Sequence, residues 1–302
     1  MFTLEDIYDV YDKHKDDYNA QVEAFTIGNK TLNFNSQPAI LGIINLSTDS
    51  WFNHAICYTP EQAIRRGKVL TAQGADIIDI GAEASSKNTQ RADAFKQKSS
   101  LLPVIETLSQ EGVLTSVETY YPDVARECLQ AGANVINFTG IESSEEMYQV
   151  IADFDAAIII CYLQGKKNPR DLGKFDFTLA HDPIDLVYDY FAKEIEKATQ
   201  LGVRKIFIDP AIGLGYTNFY YQYQNVSTRL GYQIRSLLNA FRLKTLGFPV
   251  FFSLPTPLEV FGEEVRSAQV FTAVFAALGK VDLIRTHEVA KVKAILETLS
   301  LL

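Results

Sequence analysis

Eight short β-branched runs alternate with helix-like segments along the chain, and few folds accommodate that pattern. The runs are "AILGIINLS" (39–47), "ADIIDIGAE" (75–83), "LTSVETY" (114–120), "NVINFTG" (134–140), "AAIIICYLQ" (156–164), "KIFIDPAIG" (205–213), "PVFFSLPT" (249–256) and "VDLIRTHEV" (281–289). They are mostly apolar throughout instead of alternating, as parallel strands buried on both faces require. Helix signals lie between them. "TPEQAIRRGKVLTAQG" opens with Thr59 as N-cap and Pro60 at the first helical position, and it closes on Gly74. Pro122 to Gly132, and Asp182–Pro183 to Gly202, repeat the plan. The pattern predicts one (β/α)8 barrel over residues 37–302, preceded by a lead-in over 1–36 that holds a helix and a hairpin-like "AFTIGNKTLNF". No Gly-rich dinucleotide loop, linker or internal repeat interrupts it.

Composition narrows the partners. With 302 residues, 47% apolar and 22% charged, the chain reads as a soluble globular protein. Its net charge of −9 gives no attraction to nucleic acid or to an anionic membrane, so an anionic substrate must meet a few local cations. The three cysteines (Cys57, Cys128, Cys161) have no paired spacing, which points to a reducing compartment and a structural role. The N-terminal stretch is acidic and amphipathic, without a basic-then-apolar leader, and no apolar run reaches the roughly 18 residues of a membrane span. A cytoplasmic protein is expected.

In a (β/α)8 barrel the chemistry sits where the strands end. Strand one ends on Asn45, followed by Ser47, Asp49 and Ser50; strand two carries Asp79 and ends on Glu83; strand three ends on Glu118. Strand four carries Asn137, strand five ends near Tyr162 and Gln164, strand six on Asp209, and strand eight on Arg285 and His287. Each has an ordinary alternative. Asp79 could cap a neighbouring turn or pair with a lysine, Glu83 could order its own loop, and Arg285 with His287 could pair with Glu288 or a neighbouring carboxylate. His14, His54 and His181 lie in polar surroundings and read as solvated.

A metal held by protein ligands alone is disfavoured, because no two histidines share a ligand spacing and the carboxylates come from separate strands. A magnesium ion held mostly by a substrate diphosphate, with Asn45 as one protein ligand, is compatible. No Ser–His or Cys–His arrangement suggests a nucleophile. Carboxylates and amides with few cations suit a 2-amino-4-oxopyrimidine ring. Its amino group and ring N–H are adjacent donors that one carboxylate accepts together, and an amide completes the edge.

The same residues fall in segments that resemble the dihydropteroate synthase family over about residues 38–289. "GIINLSTDSW" is similar to that family's N-[VL]-T-P-D-S-F, and "GADIIDIGAEAS" to G-A-D-I-I-D-I-G-G-E-S. "SVETY" resembles S-V-D-T, "VINFTG" I-N-D-I, "YLQG" H-M-Q-G, "IDPAIGLG" L-D-P-G-I-G-F-G, and "RTHEV" R-V-H-D-V. The order of the blocks makes the signal specific.

The resemblance implies the (β/α)8 fold, a homodimer, and displacement of diphosphate from a 6-hydroxymethyl-dihydropterin by p-aminobenzoate, with magnesium on the leaving group. Carried over by motif, Glu118, Asn137, Asp209 and Gln164 would bind the pterin. Arg285, His287 and Asn45 would form the anion site, with Asn45 also toward the metal. Asp79, Glu83 and Asp49 are the candidate catalytic carboxylates. The departures are selective. "SLPTPLEVFG" stands where the family carries S-R-K-S, "SSKNT" where it carries S-T-R-P-G (with Lys87 as a possible substitute), and Tyr216 where it carries a lysine. Phe138, Ala82 and Tyr162 replace the family's aspartate, glycine and histidine. The expectation is therefore a transferase that binds a reduced pterin or folate and transfers at the C6 methylene or one-carbon group. The alternatives are a folate-dependent one-carbon transferase for another acceptor, or a non-catalytic pterin-binding protein. The apolar stretch "AQVFTAVFAALG" is expected to be either deeply buried or part of a subunit interface.

Overall fold

A computed structural model describes residues 2–50, 52–84, 90–140, 142–163, 182–210 and 226–302. A hairpin of β1 (Phe25–Ile27) and β2 (Lys30–Leu32) precedes eight parallel strands. These are β3 (Ala39–Asn45), β4 (Ile77–Gly81), β5 (Thr115–Thr119), β6 (Val135–Phe138), β7 (Ala157–Cys161), β8 (Lys205–Asp209), β9 (Phe251–Ser253) and β10 (Leu283–Thr286). Their order is β8-β7-β6-β5-β4-β3-β10-β9, and a parallel bridge between Ile208 and Val250 joins the two ends. The sheet is thereby closed as a barrel, as the eight apolar runs predict.

Helices of more than two turns are α1 (Leu4–Lys13), α2 (Pro60–Ala72), α3 (Ala94–Gln110), α4 (Pro122–Gln130), α5 (Ser144–Asp153), α6 (Pro183–Gln200), α7 (Val226–Leu238), α8 (Val265–Leu278) and α9 (Val289–Ser300). The starts of α2 and α6 follow the capping signals. Thr59 Oγ1 accepts from Gln62 N at 3.3 Å, and Asp182 Oδ1 from Ile184 N at 2.9 Å. Gly74 ends α2 at φ +104°, a left-handed conformation that glycine adopts without strain.

The apolar strands sort their residues by parity. Ile78, Ile80, Ile136, Ile158, Ile206, Ile208 and Ile284 pack outward in the layer under the helices. Leu41, Ile77, Val135, Ile159, Phe207, Phe251 and Leu283 fill the barrel, together with Val22, Ile27, Leu32 and Phe34 of the lead-in. Phe25 and Phe34 pack on Phe207 at 5.1 and 5.5 Å between ring centroids. The lead-in hairpin thus plugs the end where the strands begin and leaves the opposite end for polar groups. Lys280 fastens the same end, donating to Tyr18 O at 2.6 Å with its ammonium 3.6 Å from the Tyr18 ring. Beneath β10, Lys244 and Asp282 form a buried ion pair at 2.7 Å, and Asp282 also accepts from Val250 N at 2.8 Å. Burial pushes the Asp282 carboxyl up to about 6 despite that ammonium.

Two expectations are refined here. α8 buries Ala268, Gln269, Thr272, Ala273 and Ala276 while Phe271 and Leu278 remain exposed, so only one face of the apolar stretch is deeply buried. His14 is not freely solvated: its side chain is part-buried beside Asp17, and burial lowers its pKa. His54 is exposed as expected, and His181 lies outside the described residues.

Candidate active site

Parity also decides which polar side chains enter the barrel. Ile78 and Ile80 face outward, so Asp79 between them faces in; the same reasoning turns Asn137, Asp209 and Arg285 inward from β6, β8 and β10. On β5, outward Val117 leaves Ser116 and Glu118 inside. Asp79 is fully buried and accepts from Ser116 Oγ at 2.7 Å, Arg285 Nε at 2.7 Å and Asn137 Nδ2 at 3.3 Å. A second nitrogen of Arg285 donates to Glu118 Oε2 at 2.7 Å. One guanidinium therefore ties β10 to β4 and β5 across the top of the apolar core. Burial alone would lower the Arg285 pKa, but Asp79 and Glu118 outweigh it and hold the cation firmly charged.

Asp209 ends β8 and is 8% exposed. Its backbone oxygen accepts from Tyr162 N at 2.8 Å, and its carboxylate lies beside Cys161, its register partner on β7. Burial, reinforced by that negative charge, pushes the Cys161 thiol far above its ordinary value, which removes it as a nucleophile. Burial likewise pushes Cys128 up to about 12. Three carboxylates (Asp79, Glu118, Asp209) thus converge with one guanidinium and one amide. The surplus negative charge favours a ligand edge rich in N–H donors.

The remaining predicted residues lie around this centre. Glu83 orders the chain that follows it: its Oε2 accepts from Ala92 N and Tyr120 OH at 3.0 Å each, and from Gln97 Nε2 at 3.4 Å. Asp49 is exposed in the loop after β3 and accepts from Gln90 N at 3.1 Å. Asn45 closes β3; its Nδ2 donates to Ser50 Oγ at 3.0 Å, which leaves Oδ1 as the hard oxygen of its side chain. That donor fits a magnesium ion held chiefly by substrate phosphates, and no group of three His, Cys, Asp or Glu among the described residues could hold a metal. His287 is 9% exposed, stacked on Phe52 at 3.9 Å and 15°. Burial, with the charges of Arg285 and Arg66, holds its ring well below the usual imidazole value, so it is neutral. Gln164, Lys87 and Tyr216 lie outside the described residues.

The sequence reading overlooked Ser116, Phe52, Gln269 and the Cys161–Asp209 contact. Ser116 was findable, since it shares parity with Glu118 in "TSVET". The others depend on contacts between distant segments and leave no local signal.

The profile of the family described as pterin binding enzyme matches residues 41–287. The chain belongs to that family. Among pterin-binding enzymes it falls with the dihydropteroate synthases, a transferase family. Dihydropteroate synthase of Synechocystis is 27% identical over 275 residues, spanning 87% of this chain and 89% of the relative. The mitochondrial folate synthesis bifunctional protein of pea is 28% identical over 202 residues, 62% of this chain, and the chain spans only 37% of it. The structure of Xanthomonas albilineans dihydropteroate synthase with 4-aminobenzoic acid has the same fold, at a TM-score of 0.76 and 24% identity, covering 93% of this chain and 98% of that one.

Proposed function

We propose that this pterin-binding enzyme takes a reduced pterin at the mouth of the barrel and transfers at its C6 methylene, an aromatic amine of the p-aminobenzoate class displacing diphosphate. The observation that carries the reading is the inward set of Asp209, Asn137 and Glu118 over the apolar core, with Asn137 and Glu118 held by the Arg285–Asp79 pair. In this reading Asp209 accepts the paired N–H donors of the pterin, while Asn137, Glu118 and Gln164 complete its polar edge. Asp79, already bonded by three donors, acts by placing Arg285 and Asn137 and not as a proton acceptor. Glu83 shapes the adjoining loop, and Asp49 lies at its rim.

The amine lone pair forms the new C–N bond as the methylene C–O bond breaks. The electron pair leaves with diphosphate, and the amine loses its extra proton to solvent. Arg285, His287 and Asn45 surround the leaving group. Asn45 would hold a magnesium ion there together with the diphosphate, and the ion would supply charge neutralisation. The odd number of free, buried cysteines supports a cytoplasmic setting, and the exposed Phe271–Leu278 face of α8 supports a homodimer.

One observation favours a second reading, transfer from a folate to another acceptor. The exit of β9, "SLPTPLEVFG", carries no cation where the family motif has an arginine and a lysine. Mixing the enzyme with 6-hydroxymethyl-dihydropterin diphosphate, magnesium and p-aminobenzoate tests the choice. Dihydropteroate is the expected product. No product at high enzyme concentration, with pterin binding intact, would rule out the synthase reaction and favour the second reading.

A further inference from the structure

Gln269 sits on α8, 2% exposed, and its amide holds three groups at the exit of β10. Its Oε1 accepts from Thr286 Oγ1 at 2.7 Å and from the His287 backbone N–H at 2.9 Å. Its Nε2 lies 3.2 Å from His287 Nδ1. The polarity of this network follows from one fixed donor. A backbone N–H only donates, so the amide atom facing it is the oxygen, and the amide nitrogen faces the ring. An amide nitrogen only donates, so Nδ1 accepts and carries no proton. Glu288 N donates to Thr286 Oγ1 at 3.0 Å, which turns the hydroxyl proton toward Gln269 and agrees with the same assignment.

We propose that Gln269 is a positioning residue that fixes His287 as the neutral tautomer with its proton on Nε2, so that the anion site meets a phosphate oxygen with a neutral donor instead of a second cation. This rests on the reading of His287 as part of the anion site. Phe52 fixes the ring plane from the opposite side. The charged groups around the ring are consistent. Arg285 from β10 and Arg66 from α2 disfavour a second proton, while Glu288 is bonded to Arg266 and lies 3.2 Å from Lys291, so its charge is already compensated. A glutamate at position 269 would reverse the arrangement by accepting a proton from Nδ1 and stabilising the imidazolium. Glutamine keeps the donor constant across neutral pH and denies His287 the role of general acid toward the leaving group.

Nitrogen-15 NMR of the imidazoles in the full chain, with H287N identifying the signals, tests the assignment. The wild-type ring is expected to show a bare Nδ1 and a protonated Nε2, unchanged from about pH 6 to about pH 8. Q269E is expected to produce a doubly protonated ring, and Q269M, which removes the donor, a mixture of tautomers. A wild-type ring protonated on Nδ1, or titrating in that range, would overturn the proposal. So would Q269E and Q269M spectra matching wild type; if Q269E does not fold, Q269M decides. Calorimetry with inorganic diphosphate and magnesium separates this from the parent reading. Once the titration of diphosphate itself is allowed for, wild-type affinity is expected to be the same at about pH 6 and about pH 8, whereas Q269E binds about tenfold more tightly at the acid end than at the alkaline end, the difference between a charged and a neutral hydrogen bond. No diphosphate binding to wild type, with the Nε2–H tautomer present, would remove the anion-site reading and leave the tautomer assignment intact.

Discussion

Arg285 reaches from β10 to carboxylates on β4 and β5, and that span separates residues that bind from residues that hold. Asp79 belongs to the second group. It is wholly buried, and removing its charge would leave the Arg285 guanidinium bonded to Glu118 alone, a cost of about 1.5–3 kcal/mol for the lost charged hydrogen bond. Asp79→Asn is therefore expected to lower stability by that order in urea unfolding, with pterin affinity falling as a consequence. Asp209→Asn should behave differently: Arg285 keeps its bonds to Asp79 and Glu118, so ligand binding should weaken by more than the unfolding midpoint falls. A matched loss of stability in both variants would contradict this division.

At the scale of elements, all eight strands are found inside the runs that the sequence marks, because buried parallel strands leave a continuous apolar signature. That same continuity hides which residues face the barrel. Ile40 and Leu41 are both apolar and both buried, yet one packs outward and the other inward. Only a polar residue such as Asp79 or Asn137 reveals the parity, so the site was legible at those positions. Gln269 and Phe52 were not, since their roles depend on the docking of α8 and of the loop after β3 onto the exit of β10. The starts of α2, α4 and α6 were legible through their caps and first-turn prolines. Thr59→Ala should cost about 1 kcal/mol in unfolding free energy through loss of the α2 cap, with catalytic parameters unchanged.

Across the whole molecule, the two ends of the barrel have opposite characters. One is sealed by the lead-in hairpin and by the Lys244–Asp282 pair; the other collects the polar side chains. The sealed end carries its own pH signature. Asp282 has its pKa raised on folding, so its contribution is fully present below the ordinary carboxylate value and declines as pH rises through about 6. Unfolding free energies of wild type and Asp282→Asn, compared from pH 4 to pH 7, should show wild type losing stability relative to the variant over that window. A constant difference would contradict the raised pKa.

The central claim is that the inward cluster recognises a pterin through Asp209. Titration of wild type and Asp209→Asn with a dihydropterin, followed by calorimetry, tests it most directly. Saturable binding to wild type is predicted, weakened by roughly 100-fold in the variant, as expected when a paired, charge-assisted contact is lost. Equal affinity of the two proteins, or no binding to wild type, would contradict the account.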